Sequence, residues 1–151
     1  MITTRCQEDK PIGITVNSFT SVSLDPPLVL FCLKKKGHRA PLFAQGQLFS
    51  ISVLSQTQQT ISHHFATHPD TNWDAYTYSP EPHHPPFIKD SLAQILGERA
   101  AIYEGGDHDL YLIKVLGMHF ESEKKPLLFF QSHYAKIQQF DPQSIEFTKP
   151  L

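Results

Sequence analysis

The stretch NSFTSVSLDPP at residues 17–27, with LVLFCL at 28–33 behind it, decides how this chain is read. Just before it, Ile12, Ile14 and Val16 alternate with Gly13, Thr15 and Asn17, the two-residue period of a half-buried strand. Ser18, Thr20, Ser21 and Ser23 then interleave with Phe19, Val22 and Leu24, which reads as a hydroxyl-rich loop. Asp25-Pro26-Pro27 stops it, because proline lacks the N–H that a sheet interior needs. The run at 28–33 is apolar throughout, as expected of a strand covered on both faces. Four hydroxyls among backbone amides suit either of two jobs: capping the loop's own turns, or wrapping a phosphate or other anion.

On the N-terminal side, Ile2-Thr3-Thr4 reads as the tail of a strand that turns through residues 7–10. On the C-terminal side, KKKGHRAPLFAQ at 34–45 turns into a short helix with Pro41 in its first turn. QLFSISVL at 47–54 alternates again, with Phe49, Ile51 and Val53 on the core face. Ser55 reads as the N-cap of a helix over 56–67, where Ile61 and Phe65 share one face. Residues 68–86 are irregular, with one short strand expected at 75–78. The aromatic residues there, Trp73 to Tyr78, look made to pack on something, including a second subunit. Residues 92–103 and 109–120 flank Glu104-Gly105-Gly106-Asp107-His108 as a hairpin, and PLLFF at 126–130 is a last strand. Six or seven strands, two short helices and no βαβ rhythm favour a closed antiparallel barrel over a doubly wound sheet.

Composition narrows the class further. At 151 residues the chain is long enough for one domain with a real core. A net charge of −2 and a single short basic run leave no footprint for nucleic acid. No stretch approaches the ~20 apolar residues of a membrane span, and MITTRCQEDK has no secretory core, so the cytoplasm is the expected compartment. Cys6 and Cys32 are too few for a disulfide framework, and Cys32 reads as a buried strand residue. Twelve prolines and eleven phenylalanines against seven glycines suggest many chain reversals around an aromatic core.

The string TVNSFTSVSLDPPLV at 15–29, followed by a cysteine-bearing strand, resembles the flavin reductase-like family, the FMN-binding split barrels. FCLKKKGHRAPLF, LFSISVLS, a helix ending HHFA, Gly106-Asp107-His108 in a hairpin and PLLFFQSHY follow in the family's order. The resemblance implies a six- to seven-stranded antiparallel split barrel with short peripheral helices over residues 1–137; beyond it, the polar tail from 138 carries scattered Phe140, Ile145 and Phe147, which suit docking on a partner subunit. The family has a short helix and most of a strand before the point matching Ile2, so the first barrel strand is expected to be missing or cut short, leaving an exposed edge.

Carried over by residue, the resemblance implies that Asn17, Ser18, Phe19 and Thr20 line the flavin ring and its ribityl chain. The phosphate arm falls on Lys36, His38 and Arg39, where charge replaces the family's hydroxyls; the guanidinium can pair a phosphate bidentately. His108 matches the histidine facing the nicotinamide, and Tyr134 matches a tyrosine that closes the same pocket. Ser132-His133 stands where the family has glycine and arginine. The implied activity is hydride transfer from NADH or NADPH to FMN or FAD by a homodimer that supplies reduced flavin to a monooxygenase. The alternative is a flavin-binding electron carrier without turnover. Metal binding ranks behind both: His64 and His68 are four apart, but no cysteine or carboxylate has ligand spacing with them. No GxGxxG or GxSxG string is present.

Overall fold

A computed structural model describes residues 1–68 and 71–137. The apolar tail residues Phe140, Ile145 and Phe147 therefore lie outside the described residues. In chain order the strands are β1 (Ile2–Arg5), β2 (Pro11–Ile14), β3 (Thr20–Leu24), β4 (Pro27–Lys34) and β5 (Leu48–Val53). The two-residue strands β6 (Thr77–Tyr78) and β7 (Phe87–Ile88) follow, then β8 (Ala93–Gly105), β9 (His108–Phe120), β10 (Leu128–Phe130) and β11 (His133–Ala135). Three helices, α1 (Ala40–Phe43), α2 (Gln59–Thr67) and α3 (Trp73–Tyr76), lie between them.

Seven strands form one antiparallel sheet in the order β2-β1-β5-β8-β9-β4-β3. Its two edge strands, β2 and β3, are consecutive in the chain and joined only by residues 15–19. Six peptide steps reach at most about 20 Å. A flat sheet of seven strands would hold its edges roughly 29 Å apart. The sheet must therefore curl until its edges approach. Ser18 ties the connection to β4 beyond the end of β3, its hydroxyl bonding both the amide (3.0 Å) and the carbonyl (3.1 Å) of Cys32.

β1 sits inside the sheet between β2 and β5, and the strands paired on one side only are β2 and β3. The stretch read as a hydroxyl-rich loop is in fact β3, hairpinned to β4 through a turn at Asp25-Pro26, with a bulge at Val22. Only one face of β4 is covered by the chain itself. Val29, Phe31 and Leu33 are in the core, while Leu28, Leu30 and Cys32 on the other face are half-exposed. Cys32 is thus not the buried residue the sequence suggested.

The core is the aromatic cluster Phe31, Phe43, Phe49 and Tyr111, with Phe31 and Tyr111 stacked at 5.0 Å and Tyr111 edge-on to Phe49 at 6.0 Å. Such pairs add about 0.5–1.5 kcal/mol each beyond the area they bury. Phe49 and Ile51 point inward as their alternation requires, yet Ser50 and Ser52 on the opposite face are also buried. A strap at residues 85–88 crosses that face. Thr3 Oγ1 and Ser50 Oγ donate to the carbonyls of Pro86 (2.5 Å) and Pro85 (2.7 Å), and Ser52 Oγ accepts from the Ile88 amide (3.0 Å).

Residues 75–78, expected as a strand, are half helix and half strand. Trp73 and Tyr76 of α3 pack on Phe65 of α2 in the same chain, Trp73 at 4.9 Å. Trp73 lies so close to Gly13 that a Cβ there would sit 2.8 Å from its ring. Ser55 does not cap α2. Gln58 reaches back from the helix start to accept the Ser55 amide at 2.9 Å, stapling residues 55–58 as a turn, so the helix begins one turn later.

Candidate functional site

A pocket of about 580 Å³ opens where β1, β5, α2 and the β10–β11 hairpin meet the connection from β2 to β3. Ile2, Ile51, Val53 and Leu54 make an apolar floor, and Leu127, Leu128 and Phe129 make the opposite wall. Its polar groups are neutral and few: Thr15, Asn17, Ser52, Ser62 and Tyr134. Most are already tied down. Thr15 Oγ1 donates to the Ser62 carbonyl (3.0 Å), and Tyr134 Oη donates to Ser62 Oγ (3.0 Å). A mostly apolar cleft of this size with a few fixed polar groups suits a planar heteroaromatic ring.

Outside the pocket's lining lies a basic rim, the loop after β4 together with the β8–β9 turn. Asn17 and Phe19 line the pocket, and Ser18 between them is bonded to Cys32, two residues before Lys34. Lys34 pairs across the ladder with His108. Two residues along a strand cover about 7 Å. Beyond Lys34, tight turns carry the chain to α1: the Gly37 amide donates to the Lys34 carbonyl (3.3 Å) and the Ala40 amide to that of Gly37 (3.0 Å). The Arg99 guanidinium holds the far end of α1 by donating to the Ala44 carbonyl. Lys36 and His38 are exposed on this loop, and Arg39 is half-buried at the start of α1.

His108 opens β9 beside the two-residue turn Gly106-Asp107. Gly106 adopts φ +72°, a left-handed conformation that favours glycine, so the sharp reversal expected from the Gly-Gly pair is present. His108 Nδ1 and Asp107 Oδ1 are 2.8 Å apart, and the His108 side chain is 42% exposed, leaving much of the ring open. The hydrogen bond and the imidazole's charge hold the Asp107 carboxyl below its usual range. Lys35 turns the other way, into Glu104 (3.4 Å) and Asp109 (3.6 Å), and its amide donates to the Asp107 carbonyl (3.0 Å). Loop and hairpin thus form one ridge.

The structure brings Asn17, Phe19 and Tyr134 together in the pocket and leaves Lys36, His38, Arg39 and His108 outside its lining, on the loop after β4 and at the β8–β9 turn. Ser18 spends its hydroxyl on β4. Thr20 is exposed in β3, its hydroxyl donating to the Ser21 carbonyl at 3.3 Å. Ser52 and Ser62 were not singled out from the sequence. Ser52 is a small hydroxyl within an apolar alternation, which reads equally as a solvent face, and Ser62 is a lone serine on a mostly polar helix. Among the described residues no three His, Cys, Asp or Glu side chains cluster as metal ligands, and His64 bonds the Thr71 carbonyl at 3.0 Å.

Residues 1–138 match the family described as the flavin reductase like domain. The chain is 39% identical over 115 residues to the FMN reductase (NADH) SmoA of Agrobacterium fabrum, covering 76% of this chain and 66% of that protein. It is 29% identical over 137 residues to the flavin-dependent monooxygenase reductase subunit HsaB of Rhodococcus jostii, covering 91% of this chain and 70% of that one. Among solved structures it is similar to the Streptomyces globisporus NADH:FAD oxidoreductase SgcE6 in complex with NAD and FAD fragments, with a TM-score of 0.81 at 31% identity, covering 95% of this chain and 85% of that one. The chain thus spans about two thirds of the length of the curated relatives it matches.

Proposed function

The chain belongs to the flavin reductase-like family, and from that premise we propose that it is an NAD(P)H-dependent flavin oxidoreductase that passes reduced flavin to a monooxygenase. The observation that carries this reading is a mostly apolar, ring-sized pocket whose segment 17–19 is bonded through Ser18 to β4, the strand that leads into the basic loop at 34–39. Its chemistry matches a ligand that is flat and neutral at one end and phosphorylated at the other.

In this reading bound FMN or FAD supplies the hydride acceptor. The protein's share is placement. Phe19, Leu127 and Leu128 exclude water from the ring, and Asn17 offers an amide at its polar edge. Lys36, His38 and Arg39 hold phosphate oxygens, Arg39 with the planar fork that suits them. His108 presents a flat face and a ring nitrogen to the nicotinamide, orienting the donor rather than exchanging a proton.

The curled sheet serves as the split barrel of a homodimer acting in the cytoplasm. Support for a second copy lies on the uncovered face of the sheet. There Leu30 faces Leu112 and Cys32 faces Leu110, which faces Tyr103, itself 57% exposed. Contiguous apolar surface of this kind marks an interaction site. Sedimentation showing a lasting monomer at micromolar concentration would overturn the dimer. Mixing the purified protein with NADH and excess FMN tests the activity: the nicotinamide absorbance band should decay with flavin present and persist without it. Flavin uptake with no decay leaves a binding protein, and no uptake removes the reading altogether.

A further inference from the structure

The β10–β11 hairpin belongs to no larger sheet; each of its strands pairs only with the other. A lone two-stranded hairpin is marginal in water, so its position depends on what it is fastened to. Its base is fixed. The Leu127 amide donates to the Leu54 carbonyl (2.8 Å), the Gln56 amide donates to that of Lys125 (2.8 Å), and Ser55 bridges Pro126. Beyond the base, one side-chain hydrogen bond reaches the body of the protein among the described residues: Tyr134 Oη to Ser62 Oγ, at 3.0 Å. Ser62 is 3% exposed and held from two sides, its amide donating to the Gln58 carbonyl (3.0 Å) and its carbonyl accepting from Thr15 (3.0 Å). The same hairpin supplies Leu128, Phe129 and Tyr134 to the pocket wall, and Phe129 and Phe130 are 49% and 67% exposed.

We propose that the β10–β11 hairpin is a hinged cover on the pocket, and that Ser62 is the positioning residue that latches it through Tyr134 and so sets how long a flavin stays bound. This rests on the flavin reading above. The hinge lies at residues 125–127, where backbone bonds fasten the chain. The moving part is residues 128–135. A protein that must hand its flavin onward needs release as well as capture. A cover secured by one neutral hydrogen bond gives that balance, whereas a charged latch would hold several times more strongly.

Two measurements on the full chain test this. The first is amide hydrogen exchange of residues 128–135 without flavin, which should quicken by roughly three- to ten-fold in Tyr134→Phe and Ser62→Ala, the effect of one neutral hydrogen bond. The second is FMN release followed by stopped-flow fluorescence, which should quicken by a similar factor, with the flavin KM rising more than kcat changes. The double variant should go no further than either single one, because both remove the same bond. Tyr134→Phe keeps the ring against Phe129, 5.3 Å away, and carries the test if Ser62→Ala fails to fold. Unchanged exchange, additive effects or wild-type release each overturn the latch. If the wild type takes up no FMN, the flavin reading falls together with the residence-time role. Faster exchange in the variants would then support the hinge alone.

Discussion

The pocket and the rim are built from adjoining residues in opposite ways. In the pocket the polar atoms of Thr15, Ser52 and Ser62 are hydrogen-bonded within the fold, and what remains is shape. On the rim Lys36 and His38 extend from tight turns as exposed side chains, and His108 stands beside a hairpin turn. A fixed shape selects a ring by excluding everything that does not fit. Exposed charge attracts any anion, and its pull weakens as salt rises. The difference teaches that recognition of the two ends of one ligand should be separable by experiment.

The sharpest way to break that separation is Arg39→Ala. Loss of a hydrogen bond to a charged group costs about 1.5–3 kcal/mol, so FMN affinity should fall by roughly ten- to a hundred-fold while riboflavin affinity, measured by fluorescence titration, stays put. The FMN preference should also shrink in high salt. Equal losses for both ligands would mean that rim and pocket act as one unit. Phe19→Ala asks the converse. It should weaken FMN and riboflavin alike and, being half-buried against the core, lower unfolding stability by about 2 kcal/mol in urea titration, below the range for a fully buried phenylalanine.

His108→Ala is expected to be milder: roughly a five-fold rise in the nicotinamide KM or fall in the flavin-reduction rate, with FMN affinity nearly intact. Lost FMN affinity with normal reduction at saturating flavin would move His108 to the phosphate. The smallest effect is expected at Ser132→Gly. Gln131 and Ser132 both hold positive φ, 48° and 63°, in the turn between β10 and β11. A left-handed conformation costs an L-residue about 1–2 kcal/mol, partly offset by the entropy glycine loses on folding. A net gain of about 0.5–1 kcal/mol in thermal or urea unfolding should result.

That last position shows how far the sequence could be read. Ser132 marks a departure from the family pattern, but only the backbone shows that glycine's place there is a left-handed turn. The hairpin around Gly106-Asp107 was legible because its glycines sit between two apolar runs. The strand at 20–24 was not, because Ser and Thr suit both an edge strand and a loop, and two prolines follow. The buried Ser50 and Ser52 were unreadable for a related reason. A serine under a crossing strap and a serine facing water give the same alternation, and the strap comes from a segment about 35 residues away. Of the candidate site, the loop at 17–20 and the turns at 34–39 came into view through the family resemblance, since local pattern alone left the loop either a turn-capping or an anion-binding segment. Ser62 did not, since its importance comes from Tyr134, 72 residues on.

The clasp by which Ser18 holds β4 bears on how the molecule comes together. Within the seven-stranded sheet only β1–β2, β3–β4 and β8–β9 are hairpins of neighbours in sequence; β4 must find β9, some 80 residues on, and β5 must slot between β1 and β8. Pairings that distant are slow, because the chain loses loop entropy before contact rewards it. Three preformed ribbons therefore dock late, and the two edges can meet across residues 15–19 only once β4 and β1 are both in place. The Ser18 clasp, only 14 residues from its partner, thus forms with the β3–β4 ribbon, and the segment at 15–19 is left as the short tether that draws β2 towards β3 once the distant pairings are made.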